Sequence, residues 1–326
     1  MLKRVVGIIL CVMLFVTGVS VEASKSIVDS VDSLVLAAQH YYNTRVAFAN
    51  ITVSRPSEDK YEVMYFADSG KMLTTELTLT DWGTWNLANM ILDDSGVKKV
   101  VMGGATDWEY VFRVVNPITQ NLEFTGGNHG SEILNSIEMY DSVTGEKFTL
   151  EVGQSKYVNR LVVEEITTIR LADKHYLPYA NVKRMYTFSG NTITLDSRVE
   201  FVRDVYMASS YTTMACIHKD FSQYCNFDSN AYTKTDAKGS FSNKRYGNVE
   251  AMVCTLNGED TSARVTVGIF NKADMTDNFS NKDKVFIWDM SEEFNKLYFS
   301  KYEVSTPQLI KAGTVWNLSS FWKVDF

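Results

Sequence analysis

Proline, cysteine and histidine are scarce in this chain, with four of each in 326 residues. So little proline argues against a flexible, proline-rich hinge between separate bodies. So little cysteine excludes a disulfide-dense scaffold. Cys11 lies inside an apolar run near the N-terminus, and the spacings of Cys216, Cys225 and Cys254 do not suggest zinc. Cys216 and Cys225 flank a short segment and could bridge in an oxidising compartment; three small buried thiols is the equal alternative. Basic residues are outnumbered, 32 to 39, for a net charge of −7. No basic stripe is present, which excludes a nucleic-acid partner while leaving room for a locally basic cleft. There is no nucleophile elbow, no phosphate-cradling glycine loop and no His-Glu-x-x-His helix. No cofactor is therefore expected.

What is present begins with MLKRVVGIILCVMLFVTGVSVEAS. A short basic start, an apolar run from Val5 to Val16 and small residues near Ala23 have the layout of a secretory signal peptide over residues 1–23. The run is short for a bilayer span, and no second one follows. The expectation is an extracellular or periplasmic protein with no stable membrane span once the leader is removed, and one β-sandwich domain over 24–326. A boundary near Gly153–Asn159 is the weaker alternative.

SKSIVDSVDSLVLAAQHYY places Ile27, Val31 and Leu34 at helical spacing, which predicts a short N-terminal helix with His40 near its end. After Tyr42 the period becomes two. About a dozen segments rich in Val, Ile, Thr, Tyr and Phe, from RVAFANITVS through RLVVEEITTIRL to DKVFIW, read as strands separated by Ser-Gly and Gly-Asn turns. With no alternating helices, the fold class is all-β: a large antiparallel two-sheet sandwich, jelly-roll or super-sandwich-like. MYTFSGNTITLDSRVEF is the clearest hairpin. Ile193, Leu195, Val199 and Phe201 face one way, and Thr194, Asp196, Arg198 and Glu200 the other. That charged row faces water or a ligand.

FTGGNHGSE, residues 124–132, puts Asn128 and His129 at a glycine-rich corner with Glu132 at the mouth of the next strand. Histidine titrates near neutral pH and can act as base or acid, and loops on rigid sandwiches are where sites gather; a surface turn that merely contains histidine is the competing reading. His218 alternates onto one face with Thr212, Met214 and Cys216, beside the charged row. In LADKHYLPYANVKR, His175, Tyr176, Tyr179 and Arg184 form an aromatic and basic loop suited to sugars and sugar acids. Trp82 and Trp85, in TDWGTWNLAN, are candidate sugar platforms. Glu164 and Glu165 are adjacent on one strand and must point to opposite faces, so they are not a facing acid pair. A His129–Glu132 metal site lacks the usual spacing. A structural calcium ion at DDSG, residues 93–96, lacks a full ligand series.

The expected catalytic set is His129, Glu132, Asn128, His218 and Arg198. The expected substrate-binding set is Trp82, Trp85, His175, Tyr176, Tyr179, Arg184, Asp196 and Glu200. At the level of architecture the chain is similar to the β-sandwich polysaccharide lyases, which use His, Tyr and Arg on a concave sheet. That resemblance implies cleavage of a uronate-containing glycan by β-elimination. The alternatives are a non-catalytic carbohydrate-binding or adhesion protein, and a glycoside hydrolase using Glu132 with Asp196 or Glu200. In each case the partner is a polysaccharide or glycan.

Overall fold

In the computed structural model, residues 51–103, 108–171, 177–271 and 284–326 are described. They belong to one compact unit, Phe48–Phe326. The expected leader, the N-terminal helix, His175 and Tyr176 lie outside the described residues. Two antiparallel sheets face each other. The first runs in the order β10 (Ser155–Val158), β1 (Ile51–Ser57), β2 (Lys60–Phe66), β3 (Met72–Leu79), β4 (Trp85–Asp94), β5 (Val97–Met102), β14 (Val205–His218), β21 (Phe294–Ile310), β20 (Val285–Asp289), β17 (Arg245–Val249). Strand β6 (Val111–Val115) pairs with β14 and with β7 (Leu122–Thr125). The second runs β16 (Tyr232–Lys234), β15 (Tyr224–Phe227), β18 (Val253–Asn257), β19 (Arg264–Ile269), β22 (Val315–Asp325), β13 (Thr192–Phe201), β12 (Pro178–Ser189), β11 (Leu161–Arg170), β8 (Glu132–Asp141), β9 (Lys147–Phe148). The all-β sandwich read from the sequence is the fold. Among the described residues, no helix is long and apolar enough to cross a membrane.

The hairpin β12–β13 forms as its Ser-Gly-Asn turn predicts, with Ser189 opposite Thr192. Ile193, Leu195, Val199 and Phe201 are buried, and the charged row lies on the other face. Several strands departed from expectation. NVEAMVCTL, residues 248–256, has the composition of one strand but contributes to two: β17 and β18 lie in different sheets. The left-handed Gly247 and Asn248 (φ 103° and 59°) form a bulge within the first strand, which pairs last at Val249 before the chain crosses to the other sheet. Strands β21 and β22 were missed. Register shifts in the β14–β21 pairing break the two-residue period, and Pro307 reads as a strand terminator. DDSG is the β4–β5 turn, where Asp93 accepts the Gly96 N–H at 2.8 Å. The described cysteines are free and buried, so the considered Cys216–Cys225 bridge is not formed. Burial pushes the Cys254 thiol up, and Cys225 is its hydrogen-bond neighbour.

The inward faces of the second sheet share one pattern. On β13 the series runs Ile193, Leu195, then Ser197, then Val199, Phe201; on β12 it runs Phe188, Tyr186, then Arg184, then Val182, Ala180. On β11 Glu165 and Thr167 separate Leu161 and Val163 from Ile169, and on β22 Ser320 separates Val324 and Trp322 from Leu318 and Trp316. A buried polar seam thus crosses four strands and separates two of the apolar clusters from each other. The seam is not uniformly bonded: the Ser197 hydroxyl has no hydrogen-bond partner. Truncating Leu195 should cost about 2–5 kcal/mol. Ser197→Ala should change stability by less than about 0.5 kcal/mol, because no bond is lost. Urea denaturation of the two variants checks the contrast, and equal destabilisation would contradict it.

Candidate functional site

The centre of the seam is Arg184, fully buried and surrounded by three buried glutamates from three segments. Glu165 stands opposite it across the β11–β12 ladder and receives its Nε at 2.6 Å. Glu132 lies 3.7 Å from Nη1. Glu109, from the segment before β6, accepts the Tyr186 hydroxyl at 2.8 Å. The cluster also bridges the sheets by clamping the start of β4. Trp85 N–H donates to Glu165 at 3.0 Å, and the Trp85 carbonyl accepts Arg184 Nη2 at 3.0 Å. Asn86 Oδ1 accepts Nη2 at 3.3 Å, and Leu87 N–H donates to Glu109 at 2.9 Å. Burial pushes the carboxyls of Glu109 and Glu165 up, against the opposing pull of Arg184. Burial also holds the hydroxyls of Tyr110 and Tyr186 well above the usual phenol range.

The glycine corner serves this cluster. After β7 the chain makes a 3-10 turn at Gly127–His129. Gly127 has φ +54°, and a Cβ there would lie 2.5 Å from the Tyr110 carbonyl oxygen. The close approach lets Gly127 N–H donate to Glu132 Oε2 at 2.8 Å. Tyr110 and Thr167 hydroxyls donate to Oε1. Glu132, expected at an open strand mouth, is instead folded under the corner and fully enclosed. His129 remains outside, exposed, with its ring stacked on Phe124 at 5.0 Å and the Arg113 guanidinium 5.3 Å from Phe124. Asn128 is half-buried, and its Nδ2 has no hydrogen-bond partner. Gly130 packs against Trp82, so the corner and the tryptophan turn meet.

Trp85 connects the cluster to an open cleft of about 680 Å³ lined by residues of both sheets. Arg55, Tyr61 and Trp85 of the first sheet face Ile137, Met139 and Phe148 of the second, and Glu138 and Lys147, which alternate onto the outer face of that sheet, complete the rim. Tyr61 and Trp85 lie 4.6 Å apart, and the Arg55 guanidinium stands 5.3 Å from the Tyr61 ring. Lys147 pairs with Glu138 at 2.8 Å on the rim.

The other expected residues are dispersed. Arg184 and Tyr179 are not on a sugar-facing loop: both side chains point inward from β12 and are fully buried, Tyr179 bonding Thr125 at 2.5 Å. Glu164 and Glu165 do point to opposite faces; Glu164 pairs with Lys183 outside. Arg198 and Glu200 pair with each other at 2.8 Å on the outer face of the second sheet, where Asp196 also accepts the Ser319 hydroxyl. His218 stands at the end of β14, 3.1 Å from Glu293 and 3.2 Å from Asp220, beside a pocket of about 400 Å³. Of the expected set, only Trp85 lines the larger cleft. Arg55, Tyr61, Glu138, Lys147 and Phe148 were missed because their strands meet only through long-range pairing. Among the described residues, no group of three His, Cys, Asp or Glu side chains could hold a metal ion.

No family model matches the chain, and no curated protein matches it in sequence. Solved structures similar to it include the galactosidase domain of the α-galactosidase–sucrose kinase AgaSK, with 8% identity over 84% of this chain, 41% of that one, and TM-score 0.46. The α-galactosidase AgaB from Geobacillus stearothermophilus has 9% identity over 84% of this chain, 41% of its own, and TM-score 0.46. A putative mutarotase, YeaD from Salmonella typhimurium, has 9% identity over 86% of this chain, 94% of its own, and TM-score 0.39. The chain spans about two fifths of the length of those galactosidases. Identities and scores this low leave the function of this chain to its own residues.

Two substitutions test the cluster. Arg184→Met leaves buried carboxylates without their cation and should cost about 3–5 kcal/mol by chemical denaturation. Gly127→Ala should cost about 1–3 kcal/mol, since the left-handed φ and the Tyr110 carbonyl both oppose a side chain. A stable Arg184→Met protein would show that the guanidinium is not what holds the carboxylates.

Proposed function

We propose that this is a secreted glycan-binding β-sandwich whose cleft at Trp85 holds the sugar. One observation carries the reading: aromatic rings (Tyr61, Trp85, Phe148), the Arg55 guanidinium and the Glu138–Lys147 pair on the rim line the same open cleft. A pyranose has apolar C–H faces that pack on aromatic rings and a rim of hydroxyls that both donate and accept hydrogen bonds. The cleft volume falls in the range of small-ligand sites. Phe148 presents the most open of the three rings; Trp85 forms a wall fixed from behind by Glu165 and Arg184.

Binding is favoured over bond cleavage because no reacting constellation is assembled around the expected residues. Elimination beside a uronate needs a base, a carboxylate neutraliser and an acid at one carbon. His129, His218 and Arg198 stand on separate elements with separate partners. Hydrolysis by two carboxylates needs them to face one bond. Glu132 is inside the sandwich, whereas Asp196 and Glu200 belong to the outer face of the second sheet. The leader-like start is consistent with export to where glycans are met.

The chain from Ser24 onward should bind at least one member of a panel of neutral and uronate glycans in calorimetric titration. Phe148→Ala should weaken that binding about tenfold, the loss of one ring contact. Ultraviolet absorbance should show no unsaturated ends with any uronate polymer. Unsaturated product from the wild type, or full affinity in Phe148→Ala, would overturn the reading.

A further inference from the structure

We infer that Glu109 carries a proton that relieves part of the excess negative charge of the buried cluster, and that Glu109, Glu165 and Arg184 are positioning residues whose joint charge state sets the wall of the glycan cleft. The second half rests on the glycan-binding reading; the first does not. Three carboxylates enclosed with one guanidinium would hold two uncompensated negative charges if all were ionised, and a buried charge without a partner is far more costly than a buried neutral group. The donors are unequally shared. Glu165 has the Arg184 Nε and the Trp85 N–H. Glu132 has the Tyr110 and Thr167 hydroxyls and the Gly127 N–H, with Arg184 Nη1 nearby. Glu109 has donors on Oε1 only, from Leu87 and Tyr186; its Oε2 is buried with no hydrogen-bond partner. The oxygen with no donor is the one best suited to carry hydrogen.

The groups facing Glu109 explain how its state reaches the cleft. Arg184 and Tyr186 face it from β12, and its Oε1 takes the Leu87 N–H two residues after Trp85. Removing the proton places a third negative charge around the Arg184 guanidinium. The guanidinium that holds the Trp85 carbonyl must then be shared among three anions, and the clamp on residues 85–87 loosens. The sign follows from burial. The folded carboxyl is held above the ordinary glutamate range, about 4.3. Its stabilisation is fully present below that range and is lost as pH rises through the folded value.

The test uses wild type and Glu109→Gln, which keeps the shape and cannot ionise. Three readouts apply: infrared absorption of a protonated carboxyl, melting temperature against pH, and affinity for whichever glycan the panel yields. The folded wild type at neutral pH should show a protonated-carboxyl band that Glu109→Gln lacks. As pH rises above the ordinary glutamate range the wild type should lose melting temperature relative to Glu109→Gln, and its glycan affinity should fall about threefold or more relative to the variant's. Absence of the band, or parallel melting profiles, would overturn the proton assignment. A proton without a difference in the affinity profiles would overturn the positioning role. If Glu109→Gln does not fold, a wild-type band that persists in Glu165→Gln and is lost on alkaline titration decides the first half alone. If no glycan binds, band and melting profile still decide it, so the two readings fail separately.

Discussion

One guanidinium ties the two sheets together. Arg184 reaches from the second sheet to the Trp85 carbonyl and Asn86 side chain of the first, while Glu165 beside it takes the Trp85 amide. An ion pair taken out of water gains stability only when nearly every lone pair and proton is matched. That requirement explains much of the surrounding sequence: a glycine where only glycine lets an amide turn under the chain toward Glu132, and a threonine and tyrosines where hydroxyls are needed.

The seam has a structural consequence. A sandwich with an apolar interior throughout can slide in register by two residues and still bury hydrophobic faces. A polar band at one level of each strand removes that freedom, because a shifted strand would place a charge among leucines and leave a charge unmatched. The two apolar clusters on either side supply most of the burial, and the seam sets their alignment. The cleft at Trp85 inherits this order. Its floor is pinned by backbone hydrogen bonds, so a ligand meets a preformed wall, which lowers the entropy lost on binding.

The sequence was informative where a rule acts locally. Alternation and the Gly190-Asn191 turn identified β12 and β13 and the correct inward face of β13, and adjacency alone separated Glu164 from Glu165. It was least informative where the meaning of a residue depends on a distant partner. Arg184 alternates onto the inward face with Val182 and Tyr186, yet an arginine in a tyrosine-rich stretch reads as a surface ligand group until Glu165 and Glu132 are brought to it. Glu132 was misplaced for the same reason: period two located it on its strand, but not the glycine fold that covers it. The cleft residues lie on strands that come together only through pairings tens of residues apart, and β21 was hidden by bulges that scramble its period.

The central claim is that Glu165 and Arg184 hold the start of β4 from inside the sandwich. Amide hydrogen exchange at Trp85 and Leu87 measures that hold directly. In the wild type both amides should exchange only through global unfolding. In Glu165→Gln the Trp85 amide should exchange at least about tenfold faster while amides in the centre of β13 keep their protection relative to the variant's own stability. Rapid exchange at Trp85 in the wild type, or protection there unchanged by Glu165→Gln, would contradict the account.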